Sequence, residues 1–243
     1  MEIISYRGES LTSQVHRTLS QAITVGELAP GSLHSVAKLA DRLQVSRSPV
    51  REALISLADQ GMVAFERNRG VRILQTTAHD LEEVFSLRLL LEVPATYRAA
   101  QMMGPTDLER LREALGSIEH FTRATTMLAH QEMDSGFHRV ILEAAGNTRL
   151  VNVVDNLWSI QKMRGVSSAG RSRKLSDIHS EHKAVFERIQ AGDALGAAAA
   201  MRAHLAHSAS LLLAQVTGDL PEAVGADLPW LDVFSALGAP GQN

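Results

Sequence analysis

Apolar positions between Glu9 and Glu27 recur at spacings of three and four. Leu11, Val15, Leu19, Ala22 and Ile23 share one face and predict an amphipathic helix. Gly26 and Pro30-Gly31 close it. A shorter pattern over Ser35–Leu43 turns Val36, Leu39, Ala40 and Leu43 inward, and Gln44-Val45 connects tightly to a third pattern from Ser46 to Gln60. Pro49 falls in the first turn of that third helix, where its missing N–H costs little. Ser46 or Ser48 is placed to cap it, and Gly61 ends it. The period then shortens to that of strands. Met62–Glu66 and Gly70–Leu74 are short β-leaning runs, joined by the polar turn Arg67-Asn68-Arg69-Gly70. Helix, helix, tight turn, helix and hairpin is the order of a winged helix-turn-helix.

From Thr77 onward the pattern is helical throughout. Six segments are expected, near 78–102, 106–122, 126–145, 148–168, 173–191 and 194–216. Gly104-Pro105, Gly146-Asn147, Gly170 and Gly192-Asp193 mark their boundaries. Short connections predict an antiparallel six-helix bundle, with Pro94 bending its first helix. The expected architecture is therefore mainly α. Residues 1–75 form the winged helix-turn-helix, 76–218 an all-helical domain, and 219–243 an irregular tail in which Trp230, Leu231, Val233 and Phe234 are the docking candidates.

Composition narrows the chemistry. With 243 residues and 45% apolar content the chain is long enough for a real core, and the absence of Cys excludes disulfides and thiolate sites. No apolar run approaches the roughly 20 residues of a membrane span. No signal peptide is evident at the start, so a cytoplasmic protein is expected. The net charge of −3 is uneven: nine basic against seven acidic residues up to position 75, and fifteen against twenty beyond it. The excess at the N-terminus is small, so position rather than charge must decide whether DNA is the partner.

Position does decide. On the third helix Val50, Ala53, Leu54 and Leu57 form the inward stripe, while Arg47 and Arg51 lie one turn apart with Ser48 beside them. An arginine at the start of a recognition helix can fork onto guanine O6 and N7, or onto phosphate. Arg67 and Arg69 sit where a wing would reach the backbone or the minor groove. The alternative is two solvated arginines paired with Glu52 or Asp59. The run Leu39-Ala40-Asp41-Arg42-Leu43-Gln44-Val45-Ser46-Arg47-Ser48-Pro49-Val50-Arg51-Glu52-Ala53-Leu54 resembles the DNA-binding domain of the GntR family of bacterial transcriptional regulators. That resemblance implies Arg47, Ser48 and Arg51 as DNA contacts, with Gly70 at the wing tip. Where the family often has a DNA-touching basic residue on the second helix this chain has Ala37, so the contact falls to Lys38.

Histidines carry the second signal. Asp134 and His138 stand four apart and lead into the stripe Ile141, Leu142, Ala145; His182 leads into Val185, Phe186 and Ile189; His204 lies on the stripe of the last helix. Three imidazoles and a carboxylate facing one apolar interior are satisfied either by separate hydrogen bonds or together by a divalent metal. Asp134-Ser135-Gly136-Phe137-His138, Glu181-His182 and Met201-Arg202-Ala203-His204-Leu205 resemble the effector-binding (FCD-type) domain of the FadR subfamily, in the six-helix branch typified by vanillate-responsive regulators. The resemblance implies Asp134, His138, His182 and His204 as metal ligands. His207, one turn from His204, is the competing position, and His130 and His179 lie nearby. Zinc or nickel suits this donor set first, manganese or iron next. Arg88 and Glu92 match the family's Arg-x-x-x-Glu signature, which places Arg88 near the cavity as an effector-binding residue; an exposed pair with Glu92 is the alternative.

The reading is a homodimeric, non-enzymatic regulator on a palindromic operator, controlled by a small organic acid at the metal. A regulator sensing the ion itself is the nearest competitor. A metallo-hydrolase or lyase is weaker, because no free carboxylate stands out as general base and a recognition helix would be superfluous.

Overall fold

The computed structural model describes residues 10–75, 77–120, 127–163 and 173–218. The expected boundary at Gly170 and the expected tail 219–243 lie outside the described residues. The chain divides between positions 76 and 77 into two compact units.

The first unit runs α1 (Leu11–Thr24), β1 (Leu33–His34), α2 (Val36–Leu43), α3 (Arg47–Asp59), β2 (Val63–Glu66) and β3 (Gly70–Ile73). The inward stripes pack as the pattern requires. Val15 and Leu19 of α1, Leu39 and Leu43 of α2, and Val50, Leu54 and Leu57 of α3 form one core with Val71 and Ile73. Gln44 takes a left-handed conformation (φ 55°), which makes the two-helix turn tight. Ser10 and Ser35 cap α1 and α2 through their side chains. The cap expected on α3 is different: Ser46 holds the N-cap position without a side-chain bond, and Ser48 lies inside the first turn.

The hairpin forms as expected, with Glu66 opposite Gly70, but the sheet has a third strand. β1 pairs with β3 through Leu33↔Arg72 and His34↔Val71, giving the antiparallel order β1-β3-β2. Two residues carry no periodicity, so β1 is invisible to pattern reading. It also explains Gly70. With φ at 121°, a Cβ on Gly70 would lie 2.2 Å from the carbonyl oxygen of His34. We expect Gly70→Ala to destabilise this unit by about 1–3 kcal/mol, read as a lowered denaturant midpoint, because strain and a backbone clash add. An unchanged midpoint would mean β1 does not hold the wing.

The second unit contains α4 (Ala78–Met102), α5 (Pro105–His120), α6 (Met127–Ala144), α7 (Thr148–Met163), α8 (Leu175–Gln190) and α9 (Ala194–Thr217); the end of α7 from Ser159 groups with the first unit. Thr77 and Asp80 form a reciprocal capping box at the start of α4. α4 packs on α6, α8 and α9, while α5 packs on α6 and α8. Pro94 sits inside α4 without interrupting it. Among the described residues no helix is long and apolar enough to cross a membrane.

Candidate metal centre and DNA-reading face

α6 presents Asp134 and His138 from one face because they are one turn apart; α8 contributes His182 and α9 contributes His204. His138 and His182 are 0% exposed and His204 is 3%. Phe137 stands edge-on to His182 at 4.8 Å between ring centres, walling the site with carbon. The four residues bring one ligand atom each to within 4.8 Å of one another. Ligands around a single ion at about 2.1 Å lie up to ~4.2 Å apart, so side-chain shifts of a few tenths of an ångström complete the sphere. His207, the competing position, is half-exposed and outside this group.

Each histidine is oriented through its Nδ1. The Nδ1 of His138 lies 2.5 Å from Glu92 Oε2, that of His182 lies 2.8 Å from the carbonyl oxygen of Ile178, and that of His204 lies 2.8 Å from Glu181 Oε2. A backbone carbonyl can only accept, so His182 carries its proton on Nδ1. In the neutral ring Nε2 is then a lone pair. That nitrogen lies 2.8 Å from Asp134 Oδ1, out of line for a hydrogen bond, and neither atom has a hydrogen-bond partner. His138 Nε2 is also buried and without one. Converging lone pairs around a carboxylate repel one another unless a cation lies between them. These residues therefore fit a metal ion, and the pinned Nδ1 atoms are the arrangement that orients metal-binding imidazoles.

Two arginine–glutamate pairs support the histidines. Arg88 Nε donates to Glu92 Oε1 at 2.6 Å with both side chains 1% exposed, and the Arg88 guanidinium lies 3.8 Å over the Trp158 ring. Arg88 is thus not an exposed ion pair; its Nε anchors the carboxylate that holds His138. Arg173 Nη1 donates to Glu181 Oε2 at 2.6 Å, and His207 Nδ1 lies 2.7 Å from Glu181 Oε1. Burial works to raise both glutamates, but the facing charges outweigh it. Arg88 and His138 hold Glu92 at about 2, and the His204 hydrogen bond with the Arg173 charge holds Glu181 at about 2. Burial drives His204 down to about 3 and also lowers His138. Asp134 is pulled well below the carboxylate range by the three imidazoles, against its burial. The spacing of residues did not show Glu92's second bond, the bonds of Glu181 to His204 and His207, or the parts of Trp158 and Arg173. Only the Arg-x-x-x-Glu spacing hinted at the first.

In the first unit Lys38, Arg47, Ser48, Arg51, Arg67 and Arg69 are all exposed. Among the described residues neither Arg47 nor Arg51 has an ion-pair partner; Glu52 instead accepts from Thr12. Arg69 pairs with Glu66 at 2.9 Å while staying 64% exposed.

A winged helix-turn-helix followed by a helical unit that holds a His/Asp cluster is the architecture of a DNA-binding transcriptional regulator. Residues 11–73 match the family described as bacterial regulatory proteins, gntR family, and residues 83–207 match the FCD domain. The chain belongs to the GntR family of regulators that carry an FCD domain, and such proteins are DNA-binding transcriptional regulators rather than enzymes. It is 30% identical over 211 residues to the HTH-type transcriptional regulator LutR of Bacillus subtilis (strain 168), covering 77% of this chain and 94% of that protein. It is 24% identical over 197 residues to the HTH-type transcriptional repressor RspR of Escherichia coli (strain K12), covering 81% and 86%. Its fold is shared with E. coli McbR/YncC: TM-score 0.68 at 22% identity, over 85% of this chain and 99% of that one.

Proposed function

We propose that residues 1–75 read a palindromic operator as part of a homodimer, and that residues 76–218 control this through a small organic acid bound at a divalent metal. Arg47, Ser48 and Arg51 would face the major groove, Lys38 the phosphate backbone, and Arg67 and Arg69 with the Gly70 wing the flanking backbone or minor groove. Asp134, His138, His182 and His204 would hold the ion. Three nitrogens and one oxygen favour zinc or nickel, with manganese or iron next.

The observation that carries the metal reading is His182. Its Nδ1 is spent on Ile178, and its Nε2 faces Asp134 Oδ1 at 2.8 Å with neither atom hydrogen-bonded. A bound ion would supply positive charge, and four protein ligands leave an octahedral ion open positions for an acid's carboxylate. An acid that favours one arrangement of the DNA-reading units would shift operator affinity by its differential binding.

The test is metal analysis of the purified protein, followed by operator titration as metal-free, zinc-loaded, and zinc-loaded with acetate. About one ion per chain, and an operator affinity that changes only when acetate joins zinc, is the expected result. A response to zinc alone would make the ion itself the signal. If zinc is not taken up, or if stability and operator affinity ignore both additions, the reading fails.

A further inference from the structure

Two buried nitrogens without hydrogen-bond partners lie beside the cluster outside its ligand set. His130, one turn before Asp134 on α6, is 5% exposed, and its Nε2 has no hydrogen-bond partner. Arg173, just ahead of α8, is 8% exposed. Its Nη1 and Nη2 donate to Glu181 and Ser208, and its Nε–H has no partner. Arg173 and the ligand-set His204 share Glu181 Oε2, at 2.6 and 2.8 Å, while His130 stands one turn from Asp134, so both border the cluster. The helix register agrees. Ser208, which Arg173 reaches, lies one turn beyond His204 on α9, and His130 lies one turn before Asp134 on α6. Both are displaced from the ligand level by one turn, about 5.4 Å along a helix.

A buried polar nitrogen without a partner is costly, and two beside one ligand cluster are uncommon in a folded protein; Arg173 Nε is a donor in any state, and His130 Nε2 is one in the tautomer or charge state that carries its proton there. An anion satisfies both. We propose that His130 and Arg173 form an anion subsite one helical turn from the metal ligands. The acid bound there would be a short dicarboxylate, with one carboxylate at the ion and the other accepting from His130 Nε2–H and Arg173 Nε–H. The proposal rests on the metal-and-acid reading above. It adds Arg173 to Arg88, whose Nε is bound to Glu92, in recognising the effector's charge.

Calorimetric titration of the zinc-loaded full chain with succinate and with acetate tests it. The wild type should bind succinate at least roughly tenfold more tightly than acetate, the worth of one or two added charge-assisted hydrogen bonds. His130→Phe keeps ring volume without a polar atom. Arg173→Lys keeps the charge facing Glu181 but lacks the Nε–H. Each should erase most of the succinate advantage, and His130→Phe should leave acetate binding and zinc stoichiometry unchanged. Succinate binding no tighter than acetate, or equal losses for both acids, overturns the subsite; so does loss of zinc uptake in both variants. If the wild type takes up zinc but binds neither acid, the underlying acid reading falls as well. If acetate binds and only the succinate advantage is missing, the subsite alone is wrong.

Discussion

Replacing Arg51 by Ala is expected to remove sequence-specific operator binding while leaving folding and metal uptake intact. Arg51 is exposed, on the flank of α3 beside the stripe of Val50, Leu54 and Leu57, which are at most 1% exposed. Its guanidinium has no ion-pair partner among the described residues. No described residue therefore competes for it, and truncation leaves no buried gap. A bidentate arginine–guanine contact is worth about 1–3 kcal/mol, and a dimer on a palindrome loses two of them. The specific-to-nonspecific affinity ratio should fall by two orders of magnitude or more. Lys38→Ala, by contrast, should weaken all sequences evenly and lower the salt slope by about one. Fluorescence anisotropy on operator and scrambled duplexes, over a salt series, reads both. An Arg51→Ala protein that keeps its sequence preference would show that α3 is not the reading helix.

The second large effect lies at Glu92. This carboxylate is 1% exposed and holds two partners at once, Arg88 on one oxygen and His138 on the other. Glu92→Leu strips a buried guanidinium of its counter-charge and should cost about 3–5 kcal/mol of stability. Glu92→Gln keeps the shape and an acceptor. It should cost less stability but weaken metal binding by about 10–100-fold, because His138 loses a charged orienting partner. Acid dependence gives an independent readout. Glu92 is lowered from 4.5 to about 2, so its contribution is complete above pH 4.5 and is lost as pH falls toward 2. The Gln variant lacks that component, so its stability should decline less steeply between those limits. Denaturant unfolding across pH, with and without zinc, checks all three statements. Equal metal affinity in wild type and Glu92→Gln would show that Glu92 supports the fold but not the centre.

Much of this arrangement was legible without coordinates, for identifiable reasons. The apolar stripes of α1, α2 and α3 place their own side chains, because a helix with one greasy face has only one way to bury it. Asp134 and His138 were legible as a pair because spacing within one helix is geometry. The resemblance of motifs added His182 and His204. What the sequence could not show is contact across elements. β1 pairs with β3 between residues 37 and 39 positions apart in the chain. Glu92 bridges to His138 from a different helix, and Arg173 reaches Glu181 and Ser208 at the same time.

The linear sequence by itself determined the order of the winged helix-turn-helix, the helical second half, the exposed arginines of α3 and the residue types able to hold a metal. Those depend on local periodicity and on side-chain chemistry. Tertiary structure alone decided which nitrogen of each histidine is spoken for, that Arg88 serves Glu92, and that His130 and Arg173 both border the cluster. Such facts are set by packing between helices distant in the chain, where a hydrogen bond depends on tenths of an ångström that no spacing rule encodes.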